Sequence, residues 1–164
     1  VFFSRIILNS PDAVHTLAVS SDEKFFVSGS WDRTIKMWDL KKKMLIHTFE
    51  KAHKGISFLT RENNLDSIWT VVISSDDKWL LSCSVDCSIK LWSVEQKKQV
   101  HAIPMAHKSN IRNMFSSDSP IFAIAATSDE KYAVTGAMNG AITIWDLATR
   151  KFLHFIEKAH AGCY

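Results

Sequence analysis

The chain has 164 residues, 46% of them hydrophobic, 23% charged and 11% aromatic, with a formal charge of +3 at pH 7. This is the composition of one soluble globular domain, and five Gly and three Pro exclude collagen-like, low-complexity and disordered sequence. No apolar run approaches the roughly 18 residues that a membrane span requires, so no membrane association is expected. Lys and Arg are spread without a block, and the mild basicity does not by itself imply a nucleic-acid partner. Three cysteines without a secretory signal predict reduced thiols and an intracellular, cytoplasmic location. The opening VFFSRIIL has neither an initiator Met nor a cleavage site and reads as the cut edge of a longer chain.

In chain order, Val14 to Val19 is the first run of strand length, followed by an acidic Ser-Asp-Glu-Lys turn and a second apolar run from Phe25 to Ser30. A turn at Trp31 to Arg33 leads into a third strand ending at Trp38, where apolar and polar residues alternate at period two. A basic turn at Lys41 to Lys43 then precedes a fourth short run, Leu45 to Phe49. The same order returns as Ile68 to Ile73, Trp79 to Ser84, a strand ending at Trp92, and Val100 to Ile103. It returns again as Ile121 to Ala126, Tyr132 to Ala137, a strand ending at Trp145, and Phe152 to Ile156. Trp38, Trp92 and Trp145 are spaced by 54 and 53 residues. The same offsets link Asp32, Asp86 and Asn139; His53, His107 and His160; and His47, His101 and His154. Most of the histidines therefore belong to a repeating architecture before they belong to any site.

The dipeptides Trp38-Asp39 and Trp145-Asp146, together with His53 and His107 opening the second and third units, make the chain resemble the WD-repeat β-propellers, whose units run from Gly-His to Trp-Asp. The middle unit departs with Trp92-Ser93, and Ala52, Ala106 and Ala159 stand where the family has Gly. The resemblance covers essentially the whole chain. It implies an all-β fold of β-propeller blades, each of four antiparallel strands, with three blades present in one domain. Residues 1–52 form the first blade without its leading His, 53–106 the second and 107–159 the third, while 160–164 open a further repeat. Since propellers close with about four to eight blades, a partial propeller is expected, with the remaining blades of the full-length chain as its neighbours.

The resemblance further implies a structural tetrad within each blade. It falls on His53, Ser82, Asp86 and Trp92 in the second unit, and on His107, Thr135, Asn139 and Trp145 in the third. The first unit supplies Ser28, Asp32 and Trp38. Indole N–H to hydroxyl, hydroxyl to imidazole and imidazole to carboxylate would satisfy every polar group in turn. Ser82, His53 and Asp86 also spell a nucleophile triad, but the set recurs imperfectly in the next unit, and no strained Gly-x-Ser-x-Gly turn accompanies it. No catalytic residue is assigned. Cys83 and Cys87 lack a second pair to complete a tetrahedral zinc set, His47, His101 and His154 occupy an outer strand, and Gly-rich phosphate loops are absent. No metal and no cofactor are expected.

The repeat exceeds the usual 40 to 45 residues by roughly ten. The excess falls between the opening His and the first strand, where each insert pairs an apolar cluster with one Arg: Phe2, Phe3 and Arg5; Phe58, Leu59 and Arg61; Ile111, Arg112, Met114 and Phe115. Aromatic, Met and Arg side chains on loops are enriched at binding hot spots, which makes these residues candidates for contact with other proteins or peptides. They also suit a second role, capping the strand ends of their own blades. The expected function is a non-catalytic interaction scaffold that assembles multiprotein complexes. The alternative is a regulatory or sensor region of a larger enzyme or channel. Basic and acidic turns lie side by side, which favours a solvated surface over a nucleic-acid track.

Overall fold

The computed structural model describes residues 13–53, 67–104, 119–157 and 159–160. These form three four-stranded antiparallel sheets, with no helix among the described residues. Sheet one holds β1 (Val14–Val19), β2 (Phe25–Ser30), β3 (Ile35–Asp39) and β4 (Met44–Phe49) in sequence order. Sheet two holds β5 (Ile68–Ile73), β6 (Trp79–Ser84), β7 (Ile89–Ser93) and β8 (Lys98–Ile103). Sheet three holds β9 (Ile121–Ala126), β10 (Tyr132–Ala137), β11 (Ile142–Asp146) and β12 (Lys151–Ile156). This is the all-β arrangement of propeller blades that the repeat predicts.

The fourth strands begin one or two residues before their apolar runs. Met44, Lys98 and Lys151 pair with Asp39, Ser93 and Asp146, so the hairpin closes one or two pairs earlier than hydrophobicity indicates. A left-handed residue makes such tight closure possible in each case: Lys43 (φ 57), Lys97 (φ 53) and Arg150 (φ 57). The acidic turns use the same device at Glu23, Asp77 and Glu130. Within those turns Asp22, Asp76 and Asp129 each accept the backbone N–H two residues on. Acidic and basic turns are held together by backbone bonds from Leu40, Val94 and Leu147 to the carbonyls of Lys24, Lys78 and Lys131, at 2.9 Å each.

The sheets pack face against face, with β1 against β5 and β5 against β9. Val27, Ile35, Met37 and Phe49 of sheet one meet Ile68, Val71, Leu80 and Trp92 of sheet two in one buried cluster. Leu81, Cys83 and Ile89 meet Ile121, Ile124, Ala133 and Trp145 in the next. Burial of such a side chain contributes about 1.5–3 kcal/mol, so these two layers dominate the fold's stability. Gly29 sets how closely the first pair approaches, because a Cβ there would lie 2.7 Å from both Ile68 Cγ2 and Thr16 Cγ2. The equivalent Gly136 faces only Ala123 Cβ at 3.8 Å. Gly29→Cys, which installs the residue that sheet two carries at this place, is expected to cost about 1–3 kcal/mol in urea unfolding, whereas Gly136→Cys changes it by under about 1 kcal/mol.

Candidate functional site

The densest polar cluster in the interior lies at one end of sheet two. Ser82 comes from the middle of β6, which is buried from Leu80 to Ser84, and Asp86 comes from the β6–β7 turn. Trp92 comes from β7, and His53 from the segment that follows sheet one. All four are buried. Trp92 Nε1–H donates to Ser82 Oγ at 2.9 Å, and Ser82 Oγ lies 2.8 Å from His53 Nε2. His53 Nδ1 lies 3.1 Å from each Asp86 oxygen and 2.9 Å from Ser88 Oγ. Because an ionised carboxylate only accepts, His53 donates from Nδ1 and receives the Ser82 hydroxyl proton at Nε2. Every donor then finds an acceptor, in a single direction from indole to carboxylate.

Burial alone works to raise the Asp86 pKa. The hydrogen bond from His53, with the two donors of Ser88, outweighs it and holds the carboxyl below its ordinary value. Asp86 Oδ1 accepts the Ser88 N–H at 2.9 Å and the Ser88 hydroxyl at 2.6 Å. The other two units keep this turn bond, from Thr34 N to Asp32 Oδ1 at 2.8 Å and from Ala141 N to Asn139 Oδ1 at 3.0 Å. They also keep the indole bond, from Trp38 Nε1 to Ser28 Oγ at 3.0 Å and from Trp145 Nε1 to Thr135 Oγ1 at 3.2 Å. His107 lies outside the described residues. So do all the insert candidates: Phe2, Phe3, Arg5, Phe58, Leu59, Arg61, Ile111, Arg112, Met114 and Phe115.

The geometry does not suit nucleophilic chemistry. Ser82 has no exposed surface, and its oxygen already takes the Trp92 N–H while its proton goes to His53. Cys83 and Cys87 are both buried, and burial pushes the Cys83 thiol up to about 12, far from a reactive thiolate. Among the described residues no three His, Cys, Asp or Glu side chains come together as a metal-holding group. Among the same residues no helix is long and apolar enough to cross a membrane.

A family model for the WD domain, G-beta repeat, matches residues 4–39, 44–93 and 98–146, each match ending with the third strand of a sheet and the second and third beginning with the fourth strand of the sheet before. The chain belongs to the WD40 family. Among relatives of this WD40 chain, the human U3 small nucleolar RNA-interacting protein 2 is 34% identical over 88 residues, which is 54% of the chain and 18% of that protein. The WD repeat domain-containing protein 83 homolog of Dictyostelium discoideum is 24% identical over 147 residues, 90% of the chain and 38% of the relative. Human Striatin-3 is 26% identical over 140 residues, 85% of the chain and 17% of the relative. The chain thus spans well under half the length of each of them.

Two features of the WD40 sheets escape sequence reading. His15, Trp69 and Phe122 are repeat-equivalent, and with Trp31 they build an aromatic stair. His15 stacks on Trp31 at 4.8 Å and meets Trp69 at 4.9 Å, and Trp69 meets Phe122 edge-on at 4.7 Å. Different residue types at one repeat position hide this from a search for identities. Burial lowers the His15 pKa, which keeps its ring neutral among its aromatic neighbours. The second feature is a clasp between acidic turns. Asp77 accepts Ser21 N at 2.8 Å, Ser21 Oγ at 2.7 Å and Asp22 N at 3.0 Å, and Glu130 accepts Ser75 Oγ at 2.7 Å and Asp76 N at 2.8 Å. The repeated Ser-Ser-Asp signature is its only trace in the sequence.

Ser82→Ala leaves two buried groups, the Trp92 N–H and His53 Nε2, without partners. At roughly 1–3 kcal/mol for each, urea denaturation should show a loss of several kcal/mol, against about 1 kcal/mol for Ser28→Ala beside the half-buried Trp38. Stability should also depend on acid in a defined direction. The folded Asp86 pKa lies below its unfolded value near 4, so its contribution is complete above about pH 4 and disappears as pH falls through the folded value. Urea midpoints measured from about pH 6 down to about pH 2 should therefore fall less steeply for Asp86→Asn than for the parent chain. Asp22 and Asp76, both held down to about 2 in exposed turns, add an acid loss that salt screens and this substitution leaves in place.

Proposed function

We propose that the chain is a non-catalytic interaction scaffold, a rigid run of propeller blades whose insert loops grip other proteins or peptides and so assemble multiprotein complexes. The observation that carries this reading is the fate of Ser82, His53 and Asp86. Among the described residues, the one constellation with catalytic potential is consumed in a buried brace that stiffens the sheet. WD40 membership supports it, while likeness to a protein named for interaction with U3 small nucleolar RNA is the reason the test includes nuclease. The gripping residues assigned here are the aromatic, Met and Arg side chains of the inserts, with Arg61 and Arg112 as charged anchors. The surface is read as protein-binding and intracellular. Within the acidic turns the ion pairs Lys24–Asp22 at 2.8 Å and Lys78–Asp76 at 2.9 Å neutralise the turns' own lysines, which a phosphate track would need free.

Affinity capture from cell extract with the full-length protein, treated with nuclease and repeated with Arg61→Glu and Arg112→Glu, tests the proposal. Nuclease-resistant protein partners that are lost with either substitution are the expected result. An unchanged partner set would remove the inserts from the binding surface. Partners released by nuclease, with a steep salt dependence, would replace protein by RNA as the ligand.

A further inference from the structure

The repeat supplies an internal control for the two internal places where one sheet packs on the next. In the first, the ring of Phe49 on sheet one lies 5.1 Å from Trp92 of sheet two and meets His47 edge-on at 4.6 Å. Phe49 is 4% exposed, and Leu80, the cross-strand partner of Trp92, is fully buried in the same cluster. One ring is thus clamped between an indole and an imidazole, with a leucine closing the space beside it.

In the second contact both aromatic walls recur. Trp145 and His101 are the counterparts of Trp92 and His47, and together they line a cleft between sheets two and three whose apolar floor includes Ile89 and Leu91. The groups that fill the first contact do not recur. Ile103 stands where sheet one has Phe49, and Ala133, the cross-strand partner of Trp145, stands where sheet two has Leu80. The first replacement removes a ring and the second shortens a branched side chain to a methyl group. Leu81 and Leu147 are larger than their counterparts Val27 and Val94, yet the cleft remains, and Ile103 is only half-buried where Phe49 is covered. Both faces of this cleft belong to internal sheets of the chain, so it does not arise from an uncovered outer face.

Two charged side chains complete the lining, Asp146 and Arg150. Asp146 accepts the Thr149 N–H at 2.7 Å, and the N–H groups of its turn hold its carboxyl below the ordinary value, so its charge is engaged within the hairpin. Arg150 is exposed in the left-handed position of that hairpin (φ 57). Its guanidinium stays charged at any working pH, and its planar fork fits a carboxylate.

We propose that this cleft receives one aromatic side chain of a partner protein, in the place that Phe49 fills between the first two sheets, with an adjacent carboxylate of the partner paired to Arg150. Trp145 and His101 select a ring because they repeat the pair that clamps one, and the cation at the opening selects an acid beside it. The site goes beyond the insert loops. Its lining comes from the strands and turns of sheets two and three, so it stands or falls independently of Arg61 and Arg112.

Saturation-transfer NMR on the full-length protein, with the peptide acetyl-Gly-Phe-Asp-Gly-amide as probe, tests the site directly. A dissociation constant on the order of 1 mM is expected for so small a ligand. Ile103→Phe supplies the ring from within, so it should abolish binding and also raise the urea midpoint by filling empty space. Arg150→Gln, or Asn for Asp in the peptide, should each weaken binding about tenfold, and the two together no further. A peptide with Ala for Phe should not bind. A parent protein that ignores the probe, equal binding by Ile103→Phe or by the Ala peptide, or a lowered midpoint for Ile103→Phe would each overturn the proposal. Equal binding of the Asn peptide would overturn the pairing with Arg150. Circular dichroism checks that each variant folds, and should Ile103→Phe not fold, Arg150→Gln and the two altered peptides decide the matter.

Discussion

Trp92 has to bury a large ring and still satisfy an N–H, and meeting both demands with one side chain couples the packing of the sheets to their polar chemistry. Its ring lies in the cluster between sheets one and two, 5.1 Å from Phe49. Its N–H begins the chain that runs through Ser82 and His53 to Asp86. A shift of the ring to suit the core would break the brace, and a shift of the brace would open the core. The sheet is therefore rigid for two independent reasons at one residue, which is how a surface made of loops can be held in a fixed arrangement.

The turn acid performs two tasks that the three units allow to be separated. In all of them the side-chain oxygen of Asp32, Asp86 or Asn139 accepts the N–H two residues on, a local bond that fixes the hairpin whether or not the group is charged. Among the described residues the imidazole bond is seen in the second unit, and there the hydrogen bonds of His53 and Ser88 to the carboxylate offset the cost of burial. Asn139 preserves the first task without the charge. The repeat therefore tolerates Asn at this position, although the buried pair in the second unit depends on the carboxylate.

Much of the architecture was legible because its signals are periodic. Strand alternation, tryptophan spacing and the recurrence of the acidic turn are one-dimensional patterns, and the sheets follow them closely. The brace partners followed from the family resemblance, whereas the contribution of Ser88 did not, since a second donor to a shared carboxylate has no spacing of its own. The clasp between Ser21 and Asp77 was hidden for a different reason. It joins exposed polar residues from adjacent units, where no hydrophobic pattern marks the contact. Likewise, the strand starts at Met44, Lys98 and Lys151 are set by backbone pairing across a tight turn rather than by side-chain polarity.

Repetition does not make the sheets interchangeable. At the slot facing the next sheet, sheet one has Gly29, sheet two Cys83 and sheet three Gly136. A Cβ at Gly29 would collide with Ile68 and Thr16, while Cys83 is fully buried against the side chains around Ile121. The outer position changes in the opposite sense, with Phe49 filling the space beside Trp92 and the smaller Ile103 leaving a cleft between Leu91 and Trp145. Each contact thus balances a small residue near the inner strand against a large one near the outer strand, and the two contacts strike that balance differently. Sheet two placed on sheet one's neighbour would bring a Cys side chain to the position where Gly29 allows only hydrogen, so volume complementarity fixes which sheet follows which. The hydrogen-bonded clasp is common to both contacts and cannot provide that discrimination; it specifies the kind of neighbour, and the buried slots specify the individual.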